Sequence, residues 1–187
     1  MMKQLQNMKA ILFPAIIAGV LLVLCSGFIK PSQENDTANE STVKALFIYN
    51  FTKHIEWPSA VLSGSRFTIG TFGENDVKEK LLSVLKGRRI FDKTAEVKQI
   101  SSIDEITGVQ ILYVGKSQSA NIDKIIQLYG DKGILIITED KGLSNKGAGI
   151  NLIRRGDNLR FEINESALKK AGLKVSNQLI SLAISSR

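Results

Sequence analysis

The first hydrophobic pattern in the chain that repeats with a helical period begins at Glu40. From Glu40 to Ile55 the apolar residues recur at steps of three and four, which is typical of an amphipathic helix. Ser41 and Thr42 are residue types that cap a first helical turn. Pro58 has no N–H to continue a helix beyond the end of this pattern. The spacing therefore predicts a helix of about four turns.

Downstream, short apolar or alternating runs predict strands, and polar segments with a spaced apolar stripe predict helices. Nearly continuous apolar runs, such as VQILYV, are typical of strands that are buried on both faces. The predicted strands are Arg66–Phe72, Thr94–Ile100, Val109–Val114, Gly133–Thr138, Ile150–Arg154 and Leu159–Ile163, and a short helical turn is predicted near Ile103–Ile106. The predicted helices are one capped by Asn75 or Asp76 that runs through Lys86, then Ala120–Tyr129, one capped by Asn164 that runs to Ala171, and Val175–Ile184.

The order of these elements predicts one α/β domain. Strand, helix and strand in succession form a right-handed crossover, which places the two strands parallel in one sheet. Gly156, Asp157 and Asn158 stand between two β-like runs and indicate a hairpin. We therefore expect a three-layer α/β/α domain with a mixed, partly parallel central sheet.

The N-terminal residues have the order of charges and apolar residues that an export signal has. Lys3 and Lys9 precede an apolar run from Ala10 to Leu24, and small residues follow it. This run is shorter than the roughly 20 apolar residues that a membrane-spanning helix needs, so cleavage is favoured over a permanent anchor. We expect a signal peptide over residues 1–27, a flexible leader over 28–40 and the α/β domain over 41–187, with no membrane span after cleavage.

Lipidation at Cys25 is an alternative to signal-peptide cleavage after Gly27. Leu22 to Cys25 has the form of a degraded lipobox, in which the cysteine would be lipidated and would become the mature N-terminus. Leu24 argues against this alternative, because lipoprotein processing favours a small residue at that position. Cys25 is the only cysteine, so a chain cut after Gly27 forms no disulfide. The expected location is the periplasm.

The distribution of the basic residues argues against a nucleic-acid partner. The formal net charge of the 187 residues is +7, and removal of Lys3 and Lys9 lowers it to +5. The basic residues are spread along the chain, whereas a nucleic-acid groove concentrates them among aromatic residues. We expect no nucleic-acid partner, and a cationic surface suits an exported protein that faces an anionic membrane.

No catalytic or cofactor-binding motif is present in the sequence. His54 is the only histidine, and no serine lies in a Gly-x-Ser-x-Gly motif that could pair with it. One histidine without a mature cysteine does not supply the usual ligands of a zinc site. The glycine-rich segment Lys141–Gly149 lacks the Gly-Lys-Ser/Thr ending of a phosphate-binding loop, and a structural turn explains it better. We expect neither an enzyme nor a bound cofactor or metal.

Two groups of side chains are candidates for a binding surface. Aromatic and polar residues near the end of the first helix could contact a partner, or its tryptophan could simply pack that helix onto the sheet. Arginines at the hairpin could meet an acidic partner, or they could be ordinary solvated charges. The candidates for partner or ligand binding are Tyr49, Asn50, His54, Trp57, Arg154, Arg155 and Arg160.

Several segments resemble one family of exported bacterial proteins. The segment KALFIYNFTKHIEWP, Lys44–Pro58, is similar to the opening signature of the YfiR-like family. Similar segments follow in the family's order across residues 43–185. They are Phe67–Gly73, Ile111–Val114, Gly149–Leu152, Arg160–Asn164, Ala171–Ser176 and Leu179–Ala183.

The resemblance implies a regulatory function. Members similar to the founding protein are periplasmic repressors that contact the sensor region of an inner-membrane diguanylate cyclase. Other members are fused or encoded with histidine kinases and similar signalling proteins. The implied partner is therefore the extracytoplasmic region of a membrane sensor, and the exposed face of the first helix allows a homodimer. The mature chain lacks the cysteines of the better-known members, and Gly147-Ala148-Gly149 replaces their paired glycine, so redox regulation is not implied.

An alternative function is a periplasmic small-solute-binding protein. Ligands in open α/β sheets bind at the carboxyl ends of the parallel strands. In this sequence that edge is predicted to lie near Gly73, Gly115 and Thr138.

Overall fold

The structure is a computed structural model that describes residues 33–184, with side chains from Asn39 onward. The predicted signal peptide and the cysteine alternative at Cys25 lie outside the described residues, and the predicted division of the chain into three parts stays a prediction. Among the helices that are described, none combines the length and the apolar composition that crossing a membrane requires. The interactions reported below lie within the compact unit that begins at Thr37.

A mixed sheet of seven strands forms the centre of the fold. Its strands are β2 (Arg66–Phe72), β3 (Arg89–Ile90), β4 (Lys93–Ile100), β5 (Ile111–Val114), β6 (Leu135–Thr138), β7 (Ile150–Arg155) and β8 (Asn158–Ile163). They are ordered β3-β4-β2-β5-β6-β7-β8, with β4, β2, β5, β6 and β7 parallel and the two edge strands antiparallel to their neighbours. A separate antiparallel pair joins β1 (Ile55–Glu56) to β9 (Lys174–Val175).

Helices cover both faces of this sheet. They are α1 (Gln33–Phe51), α2 (Asn75–Leu85), α3 (Ile122–Tyr129), α4 (Leu143–Lys146), α5 (Glu165–Lys170) and α6 (Asn177–Leu182). Successive residues of a strand point to opposite faces. Ile111 and Tyr113 accordingly join the core under α1, α2, α5 and α6, whereas Leu112 and Val114 join the core under α3 and α4. The α/β prediction, with a mixed and partly parallel sheet, is confirmed.

The first helix is longer at its start, and shorter at its end, than the apolar pattern predicted. It begins at Gln33, within the predicted flexible leader, so Ser41 and Thr42 lie inside the helix and do not cap it. No proline or glycine stands between Gln33 and Glu40, so nothing in the sequence of this segment breaks a helix. The helix ends at Phe51 because Ile55 pairs with Val175 in the small sheet.

The predicted helix Val175–Ile184 was wrong at its start. Val175 lies in β9, and α6 begins after Ser176, whose hydroxyl accepts a hydrogen bond from the Leu179 N–H at 3.2 Å. Strand β3 was missed because two residues carry no period. It turns into β4 through Phe91 and Asp92, both with positive φ, as in a type I′ hairpin turn.

Candidate functional site

The carboxyl ends of three parallel strands lie side by side at one edge of the sheet. Phe72, Val114 and Thr138 are in register across β2, β5 and β6. Strand β7 pairs with Thr138 through Asn151 and then continues for four more residues, about 13 Å. The β7–β8 hairpin therefore projects beyond this edge and forms one wall of a cleft, which lies where the carboxyl-end rule predicted a ligand site.

Glycines allow the loops at this edge to approach one another closely. A Cβ added to Gly115 would lie 2.4 Å from Cγ of Glu74 and 2.9 Å from its backbone nitrogen. Gly73 has a φ of +112°, and a Cβ there would lie 2.8 Å from the Ser117 hydroxyl. A side chain at either position would separate the loops that follow β2 and β5.

A network of ion pairs ties helix α1 to this edge. The Lys44 ammonium contacts the carboxylates of Glu139 and Glu40, the latter at 3.0 Å, and the Arg154 guanidinium binds Glu40 as well. The side chains of Lys44 and Glu139 are only 12% and 7% exposed, so solvent screens this pair weakly. The network holds the part of α1 around Glu40 and Lys44 against the ends of β6 and β7.

The pKa values in the network show which charge states it stabilises. Burial by itself would raise the pKa of the Glu40 carboxyl, but hydrogen bonds from Arg154 and Lys44 outweigh it and hold that pKa below its ordinary value. Burial would likewise lower the pKa of Lys44, but Glu139 and Glu40 raise it above its ordinary value. Both groups are therefore charged at neutral pH.

Two carboxylates also hold the backbone at the end of β5. The Lys116 N–H donates to Oε1 of Glu139 at 2.9 Å, and the Ser117 N–H donates to Oε1 of Glu74 at 3.2 Å. These N–H groups belong to the first turn of the 3₁₀ helix Lys116–Asn121, where such donors otherwise lack a partner. The edge is thus closed by charge-assisted hydrogen bonds between loops.

Tyr113 lies beneath this cluster with a buried hydroxyl that has no hydrogen-bond partner among the described residues. Burial, and then the negative charge of Glu139, raises the pKa of the Tyr113 hydroxyl far above its ordinary value. The side chain is therefore neutral under all physiological conditions.

The cleft has two compartments that share the side chains of Lys116, Glu139 and Arg154. The larger compartment, of about 710 Å³, opens between the hairpin and the loop after β6. The smaller, of about 400 Å³, opens toward helix α1. The remaining lining residues are Asp140, Lys141, Gly142, Ile153, Arg155 and Glu162 in the larger compartment, and Glu40, Lys44, Glu74, Leu152 and Leu159 in the smaller one.

Of the candidates from the sequence, Trp57 lies in the core. It is 7% exposed, its Nε1–H donates to the Gln110 carbonyl at 3.1 Å, and its ring meets Phe67 edge-on with centroids 5.2 Å apart. These contacts favour the packing interpretation over a role in binding.

Tyr49, Asn50 and His54 lie near the C-terminal end of α1. The Tyr49 ring lies under the Lys53 ammonium and the Arg88 guanidinium, at 4.6 and 4.8 Å from its centroid. The Asn50 side chain accepts a hydrogen bond from Lys53 at 3.0 Å, and Nδ1 of His54 lies 3.3 Å from the Ser176 hydroxyl. These three residues line neither compartment of the cleft.

The hairpin arginines lie on two faces. Arg154 points toward α1 and Glu40, whereas Arg155 and Arg160 are exposed on the opposite face of the hairpin. Glu40 and Asn50 are ten residues apart on α1, about 15 Å along the helix axis. The seven candidates therefore do not form a single site, and the structure brings only Arg154 and Arg155 to the cleft.

Apart from Arg154 and Arg155, the charged residues that line the cleft were not among the candidates from the sequence. Glu74, Lys116 and Glu139 directly follow the ends of β2, β5 and β6 with at most one glycine between, so strand ends were the signal that could have found them. Among the described residues, no group of histidine, cysteine, aspartate or glutamate side chains has the arrangement of a metal site.

Comparison with known proteins identifies the family. Residues 41–184 match the sequence profile of the YfiR/HmsC-like family, in agreement with the resemblance in the sequence. No curated protein sequence matches the chain. Members of this family are non-catalytic periplasmic regulators of signalling proteins. The match covers nearly the whole described domain, so the chain belongs to the YfiR/HmsC-like family.

Proposed function

We propose that this chain is a non-enzymatic periplasmic module that binds the extracytoplasmic region of an inner-membrane sensor, of the diguanylate cyclase or histidine kinase type. Binding would shift the sensor between two states by its different affinity for them. The observation that carries the proposal is the family match across residues 41–184. Exported by its predicted signal peptide, the chain would meet such a sensor in the periplasm.

The geometry around the only histidine supports a role other than catalysis. General acid–base chemistry needs a group within hydrogen-bond reach of a reacting atom in a pocket. In the described part of the chain, His54 contacts the Ser176 hydroxyl and lines neither compartment of the cleft.

The β7–β8 hairpin is the surface that we assign to the partner. Arg160 is two residues from Asn158, the cross-strand neighbour of Arg155, so the two arginines are diagonal neighbours on one face. Both are exposed, and neither makes an ion pair with a described residue. Exposed charges of one sign steer association with a surface of the opposite sign, so an acidic sensor segment is the expected partner.

Affinity capture from membranes tests the proposal. The tagged mature chain is incubated with solubilised inner membranes, and captured proteins are identified by mass spectrometry. We expect one membrane sensor to be enriched, and to be lost with Arg155→Glu/Arg160→Glu.

Two further variants separate the surfaces. Tyr49→Ala/Asn50→Ala tests the end of α1, and Lys132→Glu is a charge-reversal control at the amino end of β6. Trp57 is not a useful probe because its replacement would disturb the core. If no membrane protein is enriched above an untagged control, the proposal is refuted.

A second candidate function, capture of a small solute, is favoured by one observation. The cleft of about 710 Å³ lies at the carboxyl ends of parallel strands, where α/β sheets bind ligands. A transporter gene beside this one would favour solute capture, whereas a membrane sensor gene would favour regulation.

A further inference from the structure

The larger compartment of the cleft has an uneven distribution of available charge. Its three carboxylates already have partners within the domain. Glu139 accepts from the Lys116 N–H at 2.9 Å and contacts the Lys44 ammonium. Asp140 accepts from the next N–H along the chain at 2.9 Å, and Glu162 accepts from the buried Asn151 amide at 3.0 Å.

In contrast to these carboxylates, most of the cations of the same compartment have no side-chain partner among the described residues. Arg154 is bound to Glu40, but the side chains of Lys116, Lys141 and Arg155 make no ion pair or hydrogen bond with a described residue. Three cations from three separate elements thus line one concave space. Lys116 lies in the segment after β5, Lys141 in the loop after β6 and Arg155 in the β7–β8 hairpin.

We propose that this compartment binds a small organic molecule with two or more negative charges, through Lys116, Lys141 and Arg155. The volume of about 710 Å³ is that of a small-molecule site and far exceeds a single inorganic ion. Of the lining carboxylates only Glu139 is neutralised, by Lys44, because Asp140 and Glu162 accept from neutral donors and keep their charge. Lys116, Lys141 and Arg155 still outnumber these two carboxylates by three to two, so the lining has a net positive charge toward an entering anion. Ile153 supplies an apolar wall for the carbon skeleton that links the anionic groups.

The anionic groups could be carboxylates or phosphates, since both accept charge-assisted hydrogen bonds from lysine and arginine. This inference goes beyond sensor binding and does not rest on it, because the isolated chain carries the whole compartment. It also gives the solute-binding alternative a ligand class.

Calorimetric titration of the purified mature chain with two probes, succinate and glycerol 3-phosphate, tests the inference. Sodium chloride at 150 mM screens nonspecific attraction to exposed charges. We expect saturable binding of at least one probe, no binding of uncharged glycerol, and affinity at least tenfold weaker in Lys116→Gln/Arg155→Gln. The probe that binds identifies the class of anion.

A matched variant, Lys132→Gln/Lys169→Gln, removes two positive charges outside the cleft and should change the affinity less than twofold. Amide chemical shifts of the unmodified chain provide a readout that does not depend on how the variants fold. We expect the largest shifts at Gly142 and Ile153. Absence of saturable binding by both probes, equal weakening in the two variants, or shifts that map elsewhere would overturn the inference.

Discussion

Replacement of Tyr113 by phenylalanine tests the described packing beneath the cleft. The Tyr113 side chain is fully buried, and its hydroxyl lies near the Glu139 carboxylate. Burial, and then this carboxylate, raises the pKa of the hydroxyl, but no described acceptor is in hydrogen-bonding geometry with it. A buried polar group that loses its water without gaining a partner costs about 1–3 kcal/mol. Tyr113→Phe removes that group and keeps the ring, so it should stabilise the domain.

We expect a gain of about 1 kcal/mol in the free energy of unfolding, at the low end of that range because the neighbouring packing relaxes. In a domain of this size, this corresponds to a rise in Tm of about 2–4 °C. Thermal unfolding followed by circular dichroism at pH 7 measures it.

Alkaline pH adds an independent readout of the same hydroxyl. The pKa of Tyr113 is higher in the folded chain than in the unfolded chain, so the unfolded chain loses this proton first. Stability should therefore be retained up to about pH 10 and then fall by about 1.4 kcal/mol for each further pH unit. Tyr113→Phe should lack this part of the decline.

Tyr129→Phe is the matched control. Its hydroxyl donates to the Ile103 carbonyl at 2.9 Å, so removing it should cost about 1 kcal/mol. If Tyr113→Phe instead lowers the Tm as Tyr129→Phe does, the Tyr113 hydroxyl makes a hydrogen bond and the reasoning is refuted.

Three other changes test separate parts of the structure. Trp57→Phe should cost about 2 kcal/mol in urea unfolding, because it removes a buried hydrogen bond and ring contacts, and an unchanged midpoint would contradict the core placement. Gly115→Ala should cost about 1–3 kcal/mol by crowding Glu74, whereas Gly64→Ala, with no atom within 4 Å of the new Cβ, should not destabilise. Glu40 has a lowered pKa, so its stabilisation is present above about pH 4.5 and is lost as the pH falls further. Glu40→Gln should accordingly differ from the unmodified chain at pH 7 and approach it as the pH falls below about 4.5, and parallel Tm curves would contradict this.

The local pattern of apolar and polar residues predicted most of the strands and helices, because that pattern reflects which side chains are buried. Strand Arg66–Phe72 was predicted to the residue, since its alternation is bounded by glycines. Asn164 caps α5 as predicted, accepting from the Ala167 N–H at 2.9 Å. The small sheet could not be foreseen, because Ile55 and Val175 pair across most of the domain and neither has a local strand pattern.

The site was predictable in position but not in composition. The carboxyl-end rule located the cleft from Gly73, Gly115 and Thr138. The pairing of Lys44 with Glu139 depends on helix α1 crossing that edge, which no local pattern encodes. Trp57 shows the converse, since a conspicuous residue at a helix end proved to be part of the core.

Site-specific photo-crosslinking in living cells tests the central claim, that the chain regulates a membrane sensor by contact through the hairpin. A photoreactive residue at Asn158 stands beside Arg155 and leaves both hairpin arginines intact. The same residue at Lys132, whose side chain is 60% exposed, is the control. The account predicts an adduct with one inner-membrane sensor from position 158 and none from position 132. No membrane-protein adduct from position 158, or the same adduct from both positions, would contradict it.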